Sequence, residues 1–510
     1  MNFSSFKSAA ITAGVALALV ATTASAVTLE GRVTDAGSGD PLRRATVQAK
    51  NTLHTTATDD DGNFTLVVDA LPATVVVRYI GYQTQEMAVS AATPLTFAMA
   101  SASAEADEVL VVGSRFKPRT AITSPVPIDN VTAAQLEGTG HLTFDKMLTY
   151  SVPSFNSSQQ TISDATAHFD PADLRGLGPS RTLVLINGKR KNASALAYIN
   201  DTPGKGEVGV DMKSIPAASI ERIEVLRDGA SAQYGSDAIA GVINIILKEN
   251  TETTDVSVFG GGTIEKDGGV RGYTVNTGTD LGQNGFLHLT HSFSDQDETN
   301  RAGRPGEDTL FGVPASDPWI MDHPDLGMHV GLPNMTSSDI FFNGGYTLPS
   351  NSEIYAYGGV VSRKGLSYAL HRAPYWVDDP FNLLHDPSET YGGFQPTFET
   401  DIVDNTLVGG VRGQTEGWDY DISQSFGSNA VDYSVQNSLN VDLGALSPTS
   451  FRAGGYEFGS RVTNLDVGRQ VARAQVSLGT EFRSENFKAI AGEEASYFGG
   501  GTQSFPGLQP

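Results

Sequence analysis

Residues 219–248 read SIERIEVLRDGASAQYGSDAIAGVINIILK. Two apolar, β-type runs, 222–226 and 242–247, bracket a segment punctuated by Gly229, Gly235 and Gly241. The second run is apolar except for Asn244, as expected of a strand covered on both faces. Glycines tolerate positive φ and close backbone approach, so the connector can be tight. A βαβ-like unit of a cytosolic enzyme is the alternative reading of this stretch taken alone.

Upstream, residues 174–190 read LRGLGPSRTLVLINGKR. The run 182–186 is a buried strand that ends in Asn187-Gly188, a two-residue hairpin signal. Gly176-x-Gly178 lacks the third glycine of a dinucleotide fingerprint and precedes a strand instead of following one. Ser236 does not stand in G-x-S-x-G. Residues 128–148, with Leu136, Leu142, Phe144, Met147 and Leu148, predict a short helix. Together 174–190 and 219–248 resemble the plug domain of TonB-dependent outer-membrane receptors. Arg175, Gly176, Asn187, Gly188, Gly229, Tyr234, Gly235, Gly241 and Asn244 carry that resemblance and are expected to be structural.

The N-terminus agrees with export. Lys7 precedes an apolar run, 9–20, and then Ala24-Ser25-Ala26, the pattern of a secretory signal cleaved after residue 26. The run of about a dozen residues is too short for a spanning helix. The chain has no cysteine, so neither a lipid-anchored cysteine, a disulfide framework nor a thiolate metal site is expected. No later stretch reads as a hydrophobic helical span, so a membrane-spanning form requires a barrel. The 510 residues carry a formal charge of −24, with no basic patch to offset it, which excludes nucleic acid as a partner.

Residues 27–99 hold short strand-like runs (29–33, 45–49, 64–68, 74–79 and 95–99) separated by turn clusters, the pattern of a small sandwich. The segment resembles the carboxypeptidase-regulatory-like domain, which is not catalytic. Asp59-Asp60-Asp61-Gly62 invites a calcium reading, but it is too short for an EF-hand loop and has no following Glu at the right spacing. A hairpin turn is the expectation. Residues 100–116 follow as a linker that opens ASASAEA. It contains Asp107, Glu108, Val109, Leu110, Val111, Val112 and Gly113, an acidic start followed by β-branched residues that resembles the TonB box. An extended segment on a tether can add a strand to a partner's sheet edge, where main-chain bonds supply the grip. An ordinary edge strand is the alternative. The plug is expected over 117–248, with polar loops at 155–161 and 192–209.

From residue 249 the pattern becomes alternating strands. Trp418, Tyr420, Ile422 and Phe426 oppose Asp419, Asp421, Ser423 and Ser425. Leu287, Leu289 and Phe293 oppose His288, Thr290 and Ser292. Ala472, Ala474, Val476, Leu478 and Phe482 oppose Arg473, Gln475, Ser477, Glu481 and Arg483. Runs 340–346 and 354–361 are further candidates. Strands of about ten residues, aromatic ends and alternating short and long connections favour a membrane barrel over a soluble sandwich. The long connections are placed at 298–336 and 366–403. Residues 249–510 have room for about nine to eleven strands, against about 22 in plugged transporters, so the expectation is a fragment that ends within an outer loop.

The predicted fold is therefore mainly β: an N-terminal β-sandwich, an α+β plug and the N-terminal part of a transmembrane antiparallel β-barrel. The resemblance implies an outer-membrane receptor of a Gram-negative bacterium, with its N-terminal domain periplasmic. Its partners would be TonB, outer-membrane lipid and a scarce extracellular small-molecule ligand such as a siderophore, metal chelate or carbohydrate. No catalytic residues, cofactor or resident metal are expected. A signalling or adhesion receptor and a non-functional fragment are the alternatives. His323, His329, His371 and His385 fall in the long connections, near Asp317, Asp322 and Asp325 and near Tyr375 and Trp376. Their spacing fits loop decoration better than a metal site.

Overall fold

The computed structural model describes residues 27–99 and 128–499, apart from 38, 51, 53, 80–81, 83, 142, 158–164, 199–203, 228–233, 305–308, 311–312, 315 and 472–473. The chain divides into two compact units, residues 1–108 and 109–510.

In the first unit, β1 (Val27–Asp35), β2 (Thr46–Ala49), β3 (Thr55–Ala57), β4 (Asn63–Val68), β5 (Ala73–Arg78), β6 (Gln85–Val89) and β7 (Leu95–Met99) form two sheets. Their orders are β4-β1-β7, with β1 and β7 parallel, and β3-β2-β5-β6. Strand β4 alternates buried and exposed along its whole length, so Phe64, Leu66 and Val68 join Leu29, Val47, Val75, Val77 and Phe97 between the sheets. The sequence pattern misses β3 and β6. The first is three polar or small residues and the second is a short edge strand that opens on Gln85-Glu86, so only Met87 and Val89 mark its core face. The aspartate run makes a corner that carries the chain from one sheet to the other, not the expected hairpin. Asp59 Oδ1 accepts from the Asp61 and Asn63 amides at 3.0 and 2.7 Å, an Asx turn that uses the oxygen a cation would need.

The second unit opens with β8 (Ile128–Thr132), then α1 (Ala133–Glu137) and α2 (Phe144–Ser151). Thr132 and Gln135 form a capping box on α1. Strands β9 (Thr182–Ile186), β10 (Lys189–Arg190), β11 (Ile220–Leu226) and β12 (Gly241–Leu247) complete a five-stranded sheet ordered β10-β9-β12-β11-β8. Strand β12 lies parallel to β9 and antiparallel to β11. Six of its seven residues are buried, as the apolar run requires. Gly241 adopts φ 150°, and a Cβ there would meet the Leu226 carbonyl oxygen at 2.3 Å, so the entry to β12 needs glycine.

Among the described residues nine antiparallel strands follow: β13 (Asp255–Gly261), β14 (Val270–Asp280), β15 (Gly285–Gln296), β16 (Asn334–Thr347), β17 (Glu353–Tyr368), β18 (Thr397–Thr415), β19 (Trp418–Gln436), β20 (Ser450–Val471) and β21 (Ala474–Ala491). They pair in sequence order as one meander. Short turns at 281–284, 348–352 and 416–417 alternate with longer connections at 262–269, 297–333, 369–396 and 437–449. Ile340, Ile354, Leu407, Ile422, Phe426, Leu478 and Phe482 are exposed on the outer face. Thr290, Asn343, Asp404, Ser423, Ser425 and Asn429 are buried on the inner face. This inversion, apolar outside and polar inside, is that of a transmembrane barrel wall.

The later strands run longer than the expected ten residues, up to 22 in β20. Strand β18 begins at Thr397, inside the stretch read as a loop. The apolar period marks only the middle of each strand, whereas backbone pairing continues through polar flanks. Among the described residues no helix is long and apolar enough to cross a membrane.

Candidate functional site

The plug sheet is seated against the inner face of the meander, and the hairpin between β9 and β10 makes the join. Asn187 and Gly188 take φ 45° and 78°, the positive pair a type I′ turn demands. Asn244 explains itself here. Its Oδ1 accepts from the Gly188 amide at 2.9 Å, and its Nδ2 donates to Glu224 Oε2 at 3.1 Å. Glu224 is buried and takes a second donor, Arg222 Nη2, at 3.0 Å. The Asn187 side chain accepts from the Leu247 amide at 3.0 Å. One polar residue in an apolar strand thus fixes the hairpin and satisfies a buried carboxylate.

Three consecutive cations leave that hairpin, and each meets carboxylates. Lys189 Nζ lies 3.0 Å from Asp421 and 3.9 Å from Asp466. Arg190 reaches Asp237 at 2.6 Å and Glu481 at 3.5 Å. Lys191 Nζ lies 2.6 Å from Asp404. The four wall acids stand on β18, β19, β20 and β21 in succession, so the run spans four strands like the rungs of a ladder. Arg483 adds a bond to Asp237 at 3.0 Å. Burial alone would raise the Asp237 carboxyl, but the Arg483 hydrogen bond and the charges of Arg190 and Arg483 outweigh it and hold the carboxyl below its ordinary value. Gly427 lets the backbones meet here, since a Cβ would sit 2.5 Å from Asn192 Cβ.

Towards the end of the meander that carries the long connections, the contact turns apolar. Phe169, Ala195, Leu196 and Tyr198 of the plug pack on Ile402, Val431, Tyr433 and Tyr456 of the wall. Arg363 of β17 forms a buried ion pair with Asp211, and Thr400 lies 2.7 Å from His168 Nδ1. The Ala195 amide donates to Asn429 Oδ1 at 2.8 Å. Within 192–209, Asn192, Ala195, Leu196 and Tyr198 therefore lie against the wall instead of projecting as a free polar loop, whereas Glu207 turns back to Ser180 and Arg181 of the plug.

The two longest connections share an aromatic cluster. Short helix α3 (Pro318–Asp322) is capped by Asp317 and presents Trp319. Its ring stacks on His323 at 4.7 Å and His371 at 5.7 Å, with Tyr375 edge-on at 6.1 Å. The Tyr375 hydroxyl donates to Asp317, which pushes it up to about 12. His329 stacks on Tyr368 at 3.9 Å, and Arg372 covers Trp376 at 5.0 Å. Trp319 Nε1 and His371 Nδ1 are buried with no hydrogen-bond partner among the described residues. His385 instead pairs with Asp379 at 3.1 Å. Among the described residues no group of three or more His, Cys, Asp or Glu side chains is placed to hold a metal. The cluster is built of aromatic and imidazole rings, suited to stacking on flat, polarizable groups.

Of the residues singled out from sequence, Arg175 (φ 60°) donates through Nη2 to the Ala240 carbonyl at 2.7 Å, and Gly176 follows at φ 67°. Tyr234 packs partly buried beside Leu226 and Val242, and Gly235 takes φ 88°. Gly229 and the segment Asp107 to Gly113 lie outside the described residues. Neither the ladder nor Trp319 stands out in the sequence. Lys189-Arg190-Lys191 behind a hairpin, and aspartates at inward positions of successive strands, were the available signal. Only pairing across more than 200 residues connects them.

The TonB-dependent Receptor Plug Domain family matches residues 120–242, and the CarboxypepD_reg-like domain matches residues 29–111. The chain is 38% identical over 108 residues to a probable TonB-dependent siderophore receptor PirA of Acinetobacter baumannii, covering 21% of this chain and 14% of that protein. It is 25% identical over 315 residues to the ferric enterobactin receptor PirA of Pseudomonas aeruginosa, covering 58% and 41%. The crystal structure of a mutant ferric enterobactin receptor PfeA of Pseudomonas aeruginosa aligns with TM-score 0.50 at 16% identity, over 72% of this chain and 50% of that one. The chain thus spans half or less of the length of these proteins. It carries a CarboxypepD_reg-like domain followed by a TonB-dependent receptor plug domain, and it shares its fold with a solved ferric enterobactin receptor.

Proposed function

We propose that the chain belongs to an outer-membrane receptor for TonB-dependent uptake of a siderophore-type iron chelate. The observation that carries this reading is a plug sheet seated by buried ion pairs on the polar inner face of a meander whose outer face is apolar. Such a wall faces lipid outside and a lumen inside. The long connections, with the Trp319 cluster, would face the medium and take the solute. The short turns and the N-terminal sandwich would face the periplasm. Relatives named as siderophore and ferric enterobactin receptors support an iron chelate over a carbohydrate.

Residues Asp107 to Gly113 would pair with TonB by strand addition, in the tether 15 residues before β8. Strand β8 is the edge of the plug sheet, bonded only to β11 among the described strands, so tension on the tether acts first on that edge. Binding, plug rearrangement and passage need no covalent step. The test is uptake of radiolabelled ferric catecholate by iron-starved cells. Deleting 107–113 is expected to leave surface binding intact and abolish uptake. Undiminished uptake by the deletion overturns the reading.

A further inference from the structure

The N-terminal sandwich carries a feature that transport does not explain. Arg43, Arg44, Thr46, Asp60, Arg78, Tyr79 and Thr84 line a groove of about 750 Å³. Thr46 and Arg78 are cross-strand partners on β2 and β5, both exposed, so the groove floor is the outer face of the second sheet. Three of the five cationic residues of 27–99 meet there, in a chain of net charge −24. Arg43 approaches Asp60 only at 3.9 Å, both side chains being largely exposed. Among the described residues, Arg44 and Arg78 have no carboxylate partner.

The chain leaves the sandwich beside this groove. Strand β7 ends at Met99, and the Ala98 carbonyl accepts from Gln85 Nε2 at 2.7 Å. Gln85 adjoins the groove residue Thr84. From the other side, Asp35 pairs with Met99 in register and accepts from the Tyr82 hydroxyl at 2.6 Å. The Tyr82 ring lies 5.4 Å from that of the groove residue Tyr79. The residues that follow are ASASAEADE, uncharged until Glu105, Asp107 and Glu108. Seven residues from Met99 to Ala106 reach up to about 25 Å when extended.

We infer that the arginine groove of the sandwich holds the chain's own acidic segment, Glu105, Asp107 and Glu108. Guanidinium forks match carboxylates in charge and geometry. The spacer between Met99 and Glu105 brings no competing charge. Tethering sets an effective concentration on the order of millimolar, so exposed contacts that are individually weak suffice to populate the docked state. The consequence for transport rests on the functional reading above. A segment held by its acids is not free to add a strand to TonB, so docking lowers the apparent affinity for TonB by the undocked fraction.

The chain has no cysteine, which permits a direct test in the full-length protein in detergent. Thr84→Cys with Ala106→Cys is expected to form a disulfide under mild oxidation. Thr65→Cys, exposed on the other sheet, with Ala106→Cys is the control. Adding Arg44→Glu and Arg78→Glu, or raising salt to about 1 M, where the screening length is about 3 Å, is expected to lower the yield to the control level. Equal yields for the two pairs, or a yield unmoved by charge reversal, overturn the proposal. In the same charge-reversed protein without cysteines, the TonB C-terminal domain is expected to bind about tenfold tighter, the factor for a segment docked roughly nine-tenths of the time. A chain lacking 107–113 that binds TonB as well as the intact chain overturns the functional reading alone, because the cross-link does not depend on it.

Discussion

Lys191 of the plug and Asp404 of the wall, 213 residues apart in sequence, lie 2.6 Å apart and are both buried, with side chains 0% and 4% exposed. Asp404 also accepts from Asn192 Nδ2 at 3.2 Å and Asn429 Nδ2 at 3.0 Å, so its carboxylate is satisfied on both oxygens. Removing one member of such a pair strands the other charge away from water, whereas removing both leaves no uncompensated charge, only the Asn192 and Asn429 amides without that acceptor. Lys191→Met is therefore expected to cost about 3–5 kcal/mol. Lys191→Met combined with Asp404→Leu is expected to recover part of that loss, the remainder being the acceptor that the Asn192 and Asn429 amides lose. Thermal unfolding in micelles, with limited proteolysis of the plug as a second readout, measures both. A double variant as unstable as the single one would show that the pair is not the source of the coupling.

Asn244 offers a neutral counterpart. In Asn244→Leu the Gly188 amide loses its acceptor and Glu224 loses a donor, while shape changes little. Glu224 keeps Arg222 as a donor, so the cost is expected to be that of the one unpaired amide and the weakened carboxylate, about 1–3 kcal/mol in all. A lowered urea midpoint is expected, and a larger drop in Asn244→Asp, which sets a second carboxylate against Glu224. A midpoint unchanged in Asn244→Leu would contradict the hydrogen-bond account of the hairpin.

How far these features were legible in the sequence depends on their range. The Asn187-Gly188 turn, the doubly covered strand β12 and the outward face of Ile422 and Phe426 follow from local period and turn chemistry, and the structure has them. Strand β3 and the polar flanks of β18 carry no apolar period, and partners distant in sequence decide them. Asn244 was visible as an anomaly, but its reason, Glu224 on the neighbouring strand, needs the register. The ladder from Lys189 to Lys191 was hidden because an inward aspartate on a barrel strand is also what a water-filled lumen would contain. The four loop histidines look alike in sequence. Only the fold separates His323 and His371, which flank Trp319, from His385, which pairs with Asp379.

Acid stability tests the seam near the long connections. Burial, with the charges of Lys213 and Arg363, holds His168 down to about 3, so the folded plug keeps it neutral. An unfolded His titrates near 6.5. Between about 6.5 and 3 the unfolded state binds the extra proton, so His168 contributes stability at neutral pH that is lost as pH falls through that window, at about 1.4 kcal/mol per unit. Asp170 acts with the opposite sign. Burial raises its carboxyl well above the ordinary value, so its contribution is present at low pH and fades as pH rises above about 4. The difference between wild type and His168→Gln isolates the histidine. The expected result is a variant whose melting temperature falls less between pH 7 and about 4.5. Parallel profiles would place the acid sensitivity elsewhere.

Trp319 is the residue on which the proposed outer site turns. Its ring contacts His323, His371 and Tyr375, which belong to two different connections, and α3 fixes it through the Asp317 cap, with the Trp319 amide 2.9 Å from Asp317 Oδ1. Aromatic contacts of this kind contribute about 0.5–1.5 kcal/mol each beyond burial. Losing two or three of them both loosens the loops and removes a face on which a catecholate ring can stack. Trp319→Ala is expected to weaken binding of a ferric catecholate by about tenfold or more, with Trp319→Phe retaining most of the affinity. Trp418→Ala, at the short-turn end, is the matched control, because that ring is exposed on the outer face and stacks only with Arg469 among the described residues. Fluorescence quenching on titration with the ferric complex reads the affinity in each case. Equal losses in the Trp319 and Trp418 variants would remove the aromatic cluster from the solute site.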